Sequence, residues 1–219
     1  HLCLLNTSIT SFQGVAVGGV DGHKLESAQF QMEINSIGYE HLNMAALQML
    51  HIVPYGDDSL SMWGLIGKPK VSYDGSGWEP VQINVVGVEY LLRSRRCVQF
   101  TDNEPEAIDL TGKKADDAVK HLVRQTALSG TVQNDLKNQS RAWEWGTLVV
   151  AADAGEVSGT LNERVIGGKV YDYIKTLADK YEFAWELRPS VAGGVVTFTF
   201  KTRYPKYGKD RSKGNTDGN

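Results

Sequence analysis

Cysteine is nearly missing from this 219-residue chain: there are two, Cys3 and Cys97, far apart and without a CxxC partner. That spacing provides neither a disulfide framework nor a zinc site, so two reduced thiols are expected. The five histidines, at 1, 23, 41, 51 and 121, are scattered, with no HExxH motif and no His-x-His pair. No metal cluster follows from them. Long apolar runs are missing too: the longest is about eight residues, against the roughly 20 that a helix needs to cross a bilayer. No membrane span is expected. Nor is there an excess of positive charge, since 23 Lys and Arg stand against 26 Asp and Glu for a net charge of -3. Domains that grip nucleic acid usually carry a net basic face, so sequence-specific nucleic-acid binding is not expected. The start, HLCLLNTSITSF, has no Met, no basic leader and no long apolar block, and it reads as a trimmed or processed chain rather than a signal peptide.

The motifs of the commoner chemistries are missing as well. GVAVGGVDGHK (14–24) is glycine-rich but lacks the G-K-[ST] ending of a phosphate loop, and it is expected to be a flexible turn. No GxSxG elbow occurs, and Gly75-Ser76-Gly77 sits where a turn is wanted. Carboxylates pair at Asp57-Asp58, Asp116-Asp117 and Glu104/Glu106. An acid/base pair, however, needs two groups about 5 to 9 Å apart across a cleft. A turn, a helix start and a loop read better as solvated surface. The triplets at Asn6 and Asn138 match the glycosylation sequon without any secretory context. No catalytic residue, no cofactor and no enzymatic activity are expected.

With 41% hydrophobic and 22% charged residues, the chain has ordinary globular usage and material for a core. LESAQFQMEINS (25–36) alternates cleanly: Ala28, Phe30, Met32 and Ile34 on one face, Gln29, Gln31, Glu33 and Asn35 on the other. Tyr39 to Leu50 sets Leu42, Ala46, Met49 and Leu50 at helical spacing, predicting a short helix. Strands are expected at 51–53 and 60–66, and a second hairpin at 70–73 and 80–86 around Asp74-Gly75. Many short strands at regular spacing point to a barrel or sandwich over 1–100, and a barrel-like arrangement is expected.

The texture changes near Thr101. ADDAVKHLVRQTA sets Ala115, Ala118, Val119, Leu122 and Val123 on one helical stripe, and VYDYIKTLADKY does the same for Val170, Ile174, Leu177, Ala178 and Tyr181. Trp145 to Ala151 reads as a strand, and Phe183, Trp185 and Leu187 open another that returns through VVTFTFKT. The fold class is therefore α+β: a β-rich, barrel-like first domain (1–100) with an inserted helix, then an α+β domain (101–202) with two helices and a C-terminal β-hairpin. Residues 203–219 are expected to form a flexible basic tail.

Two clusters remain as candidate sites. INVVGVEYLLRSRRC runs from an apolar stretch into Arg93, Arg95 and Arg96. Planar guanidinium groups there could pair with Asp102, Glu104, Glu106 and Asp109 of the same chain, with the acidic face of a neighbouring subunit, or simply mark a solvated edge. Of the tryptophans, Trp63 and Trp78 could form a glycan platform, although aromatic residues in strands more often pack than bind.

The order of motifs resembles the tail-tip or baseplate hub proteins of siphophages, relatives of the contractile-phage baseplate hub. The resemblance is carried by GVEYLLRSR, by ADDAVKHLV, by LADKYEF running into a strand, and by YGKDRS, and it covers most of 25–213. It implies β-barrel domains with an α+β insertion and a homotrimeric ring that continues the tail tube. The ring would adjoin a distal tail protein and a tape-measure protein, and it would mount a spike or receptor-binding fibres. It implies a virion protein of the tail tip, assembled in the host cytoplasm, and no catalytic residue. Leu91, Leu92, Arg93, Arg95 and Arg96 would lie at the junction of barrel and insertion. Tyr207, Gly208, Asp210 and Arg211 would form a turn leading back to the barrel. Family members are commonly longer, with a segment after that turn which completes the barrel. The alternative function is a carbohydrate- or receptor-binding module.

Overall fold

Alternation of apolar and polar residues turns into a wide antiparallel pairing in the first half of the chain. In the computed structural model, which describes residues 9–18, 23–35, 49–52, 62–67, 70–71, 78–101, 104–127 and 145–206, β2 (His23–Asn35) pairs with β6 (Trp78–Gly87) from Ser27↔Val86 to Asn35↔Trp78. Around this ribbon the sheet order is β1-β2-β6-β4-β3, with β1 at Ile9–Gly18, β3 at Met49–Ile52 and β4 at Met62–Ile66. A short β5 (Lys70–Val71) also pairs with β6, through Lys70↔Gln82 and Val71↔Val81. Leu65, Ile66, Ile83 and Val85 are buried, and Gln82 and Asn84, which alternate with the last two along β6, are half-buried. Opposite Asn84, Gln29 donates its side-chain amide to the Asn84 Oδ1 at 3.1 Å.

Two expectations change here. Gly14 to Gly18 belong to strand β1 and not to a turn, because Val15 and Val17 between the glycines carry β-branched side chains that suit a pleat. Met49 and Leu50, expected at the end of a helix, are in β3 and pair with Leu65 and Gly64; the rest of that helix lies outside the described residues. Strand pairing with an apolar neighbour outweighs helical spacing over so short a window. Among the described residues the sheet shows no closure into a barrel.

The chain divides into two compact units, His1–Val17 with Gly22–Val88, and Gly18–Asp21 with Glu89–Asn219. In the second, helix α1 (Ala115–Ala127) buries Ala115, Ala118, Val119, Leu122 and Val123, the whole predicted stripe. Helix α2 (Val170–Tyr181) buries Val170, Ile174, Leu177 and Ala178, while Tyr181 in its last turn is half-buried. Glu182 then takes a left-handed conformation at φ 53°, and the Phe183 N–H returns to the Ala178 carbonyl at 3.2 Å.

Strands β14 (Ala184–Ala192) and β15 (Val195–Arg203) form the expected hairpin around Gly193 and Gly194, both at positive φ. β11 (Thr147–Val150) joins parallel to β15, with Leu148 opposite Phe198. Leu148, Leu187, Phe198 and Phe200 are buried. In register, Leu187↔Phe200, Pro189↔Phe198 and Leu148↔Phe198 place these side chains on one face of the sheet. Short ladders complete the unit. They are β7 (Arg96–Cys97) with β13 (Gly167–Lys169), β8 (Gln99–Thr101) with β9 (Glu104–Glu106), and β10 (Ile108–Asp109) with β12 (Arg164–Val165). The unit is mixed α+β and rich in strand.

Candidate functional site

The apolar run that opens toward the arginines stops being a strand at Gly87. Val88–Ser94 forms a 3₁₀ helix, whose three-residue repeat puts Val88 and Leu91 on one side with Leu92 beside them, all buried. A strand would have turned one of the two adjacent leucines outward. The Ser94 hydroxyl donates to the Leu91 carbonyl at 2.8 Å, and the Arg95 N–H donates to Leu92 at 3.3 Å, which closes the helix.

The predicted junction residues therefore separate into two roles. Leu91 and Leu92 are core, at 4% and 0% exposure. Arg93 and Arg96 are exposed and Arg95 is half-buried. The guanidinium of Arg93 lies 5.2 Å from the ring centroid of Tyr90 and 4.6 Å from that of Tyr171, in cation–π range of both. Tyr171 in turn meets Trp185 edge-on at 5.5 Å, and Trp185 reaches Phe200 at 6.0 Å. A surface cation is thus held on an aromatic column that runs into the core.

Beyond Arg95, the β7–β13 ladder pairs Cys97 with Gly167 and Arg96 with Lys169. Both members of the second pair are cationic and exposed. The Val170 N–H donates to the Arg95 carbonyl at 3.0 Å, tying the start of α2 to this ladder. Lys169, Tyr90 and Tyr171 were not singled out from the sequence: Lys169 lies 73 positions from Arg96, and only the ladder brings them together.

Glu104, Pro105 and Glu106 are all exposed on β9. Asp109 is fully exposed and accepts the Thr111 N–H at 2.9 Å, which holds its carboxyl below the usual range. Tyr207, Gly208, Asp210 and Arg211 lie outside the described residues, as does Asp102. Trp63 is half-buried and stacks on His51 with centroids 4.1 Å apart and planes 10° apart. Trp78 is in β6.

A second polar cluster corrects the solvated-surface reading of Asp116 and Asp117. Asp116 has no exposed surface. It accepts the N–H groups of Glu156 at 3.0 Å and Val157 at 3.4 Å, while Asp117 accepts those of Ala154 at 3.0 Å and Gly155 at 3.2 Å. From the same helix Lys120, 2% exposed, donates to the Ala152 carbonyl at 3.0 Å and Arg124 to that of Ala151 at 2.6 Å. One face of α1 thereby satisfies the backbone of 151–157, a segment with no ladder of its own. Every polar group in this cluster is used to hold chain to chain.

Near it, burial with the Lys113 and Arg124 charges holds the His121 imidazole below its ordinary value of 6.5. Cys97 is a buried free thiol, pushed up to about 11 by burial. Among the described residues, no group of three or more His, Cys, Asp or Glu side chains is placed to hold a metal ion, and no helix is long and apolar enough to cross a membrane.

No protein-family model matches the chain, and no curated protein matches it in sequence. Among solved structures it is similar to a tail protein from Neisseria meningitidis MC58, at 14% identity and a TM-score of 0.43, over 85% of this chain and 44% of that one. The chain thus spans less than half the length of that neighbour.

Proposed function

We propose that this chain is a structural subunit of a phage tail tip, a hub protein whose role is geometric. Three copies would close into a ring that continues the tail tube, contacts distal tail and tape-measure proteins, and mounts a spike or fibres. Assembly would take place in the host cytoplasm before incorporation into the virion, without catalysis or a cofactor. The first unit would take part as a barrel-like wall, and the segment containing Tyr207, Gly208, Asp210 and Arg211 would lead back to it.

The observation that carries this reading is a sheet face in the second unit whose part nearest the Gly193-Gly194 turn carries no charge. Val149 on β11 and Val195 on β15 lie on the side opposite Phe198 and Phe200, 45% and 57% exposed. In register with them stand Thr147, Thr197, Thr199, Ser190 and Ala192, leaving Arg188 as the first charge on that face. The solvated face of an antiparallel sheet usually carries polar and charged residues. A face rich in Val and Thr is suited to being covered, and an identical copy is the partner that a ring provides.

Negative-stain electron microscopy of the purified chain tests the reading. It predicts hollow threefold particles that are lost in Val149→Asp/Val195→Asp while the fold is kept. The alternative, a carbohydrate-binding module, would centre on Trp63; His51 already occupies one face of that indole, so a sugar would have to take the other. Single-chain particles that bind a glycan array through Trp63 would favour it.

A further inference from the structure

We propose that the tip of the β14–β15 hairpin is an arm that a second copy of this chain clasps on both faces. The inference rests on the ring reading and deepens it, because it names the element that crosses from one subunit to the next.

From Pro189 to Phe200 the chain runs twelve residues without a charge, between Arg188 and Lys201. Within this run Pro189 and Phe198 face each other and are both buried. The tip lies beyond them. Past the register pair Thr147↔Thr197 the sheet narrows from three strands to two, and Val191↔Val196 and Ala192↔Val195 lead to the Gly193-Gly194 turn. Every residue from Ser190 to Val195 is exposed. Alternation puts Val191 and Val196 on the face that carries Phe198 deeper in the sheet, and Ala192 and Val195 on the other. Val191 is 44% exposed and Val195 57%. The ribbon is bare on both sides.

Strand propensity does not account for these valines. Threonine is also β-branched and holds an extended backbone as well, and nearer the middle of the sheet, where β15 is half-buried, it carries Thr197 and Thr199. At the tip, where exposure is greatest, the same strand turns to valine. Hairpin ends in water usually carry polar turn residues, and a contiguous set of exposed apolar side chains marks a contact surface. Valines turned out to two sides need cover from two sides.

Continuity identifies the partner. Val195 belongs both to the tip and to the outer face with Val149, which the ring reading assigns to an identical copy. A copy that covers both valines has reached the end of the hairpin. Twofold pairing of outer faces would leave Val191 bare, because a mate laid flat on one side of a ribbon does not touch the other. Clasping joins an arm on one subunit to a different surface on the next, the heterologous contact that closes a ring. A lipid surface fits the arm less well, since Ala192, Gly193 and Gly194 form its end, with no Trp or Tyr to sit at a membrane interface.

Sedimentation velocity of the full chain carrying Val191→Asp tests the proposal, because Val191 is on the face that outer-face capping alone does not touch. A carboxylate there would have to be desolvated by the clasp, so Val191→Asp should weaken self-association by roughly 100-fold, as much as Val195→Asp, and Val191→Thr by less than about tenfold. Both positions are exposed, so thermal melts should keep Tm within about 3 °C. Hydrogen exchange gives a second reading: the amides of 191–195 should slow at least about tenfold when the chain assembles. If the original assembles and Val195→Asp weakens it while Val191→Asp does not, the clasp is overturned and the ring reading stands. Unchanged exchange at 191–195 on assembly overturns the clasp as well. An original chain that stays monomeric overturns both, and if that monomer binds phosphatidylglycerol vesicles and loses them in Val191→Asp, the arm belongs to a lipid surface instead.

Discussion

Asp116 and Glu156, 40 positions apart, are joined by a hydrogen bond of 3.0 Å from the Glu156 N–H to a carboxylate with no exposed surface. With Val157 as its second donor, Asp116 satisfies backbone that would otherwise be buried without partners. Replacing it with alanine strands two donors, at about 1 to 3 kcal/mol each, so Asp116→Ala should cost about 2 to 6 kcal/mol in urea denaturation. The exposed pair of Arg124 and Asp153, 2.7 Å apart, is the contrast: Asp153→Ala should cost less than about 1 kcal/mol. Equal losses would mean that 151–157 is not held as described.

Leu92 and Arg93 are neighbours in sequence with opposite fates. Leu92→Ala removes a side chain with 0% exposure and should destabilise the second unit by about 2 to 5 kcal/mol. Arg93→Ala should change stability by no more than about 1 kcal/mol, the worth of an exposed cation–π contact. Chemical denaturation of both variants checks the division.

The Cys97 thiol, raised to about 11 by burial, makes a prediction with a definite sign. In the unfolded chain a thiol ionises near 8.5, so above that pH the unfolded state has lost a proton that the folded state keeps. Stability should therefore fall as pH rises from about 8.5 toward 11, and Cys97→Ala should flatten that limb. Below the unfolded value the thiol makes no pH-dependent contribution. Peptide mapping after brief alkylation at pH 8 should find Cys97 unmodified in the folded protein and modified in urea.

Gly146 has φ of 123°, and a methyl group added there would run into the carbonyl oxygen of Val196. Gly146→Ala should therefore destabilise by at least about 2 kcal/mol, combining backbone strain with displacement of β15. Gly112 also has positive φ, but the space around it is open. Gly112→Ala should cost about 1 kcal/mol, from conformation alone.

The elements legible in the sequence are those whose signal is local. The stripe Ala115, Ala118, Val119, Leu122, Val123 reports helix α1 and its buried face directly, because a period of 3.6 needs nothing beyond thirteen residues of chain. The β14–β15 hairpin was legible from alternation around Gly193-Gly194, and the β5–β6 pairing from alternation around Asp74-Gly75. What escaped depends on distant chain. Burial of Asp116 is decided by N–H donors some 40 positions on, and backbone donors leave no mark in residue identity. The two-residue ladders of β7 and β10 are too short to show a period. The parallel pairing of Leu148 with Phe198 spans a helix and three strands. The turn from strand to 3₁₀ helix after Gly87 was hidden because Val88, Leu91 and Leu92 continue the apolar run in composition while changing its period. At the arginine cluster, sequence gave the three cations, but the tyrosines that orient Arg93 and the lysine opposite Arg96 emerge only with the fold.

Native mass spectrometry of the unaltered chain across a dilution series tests the central claim most directly. A ring built from complementary surfaces predicts a discrete species at three times the mass of one chain, dissociating on dilution without stable higher steps. A single-chain mass at every concentration would contradict it.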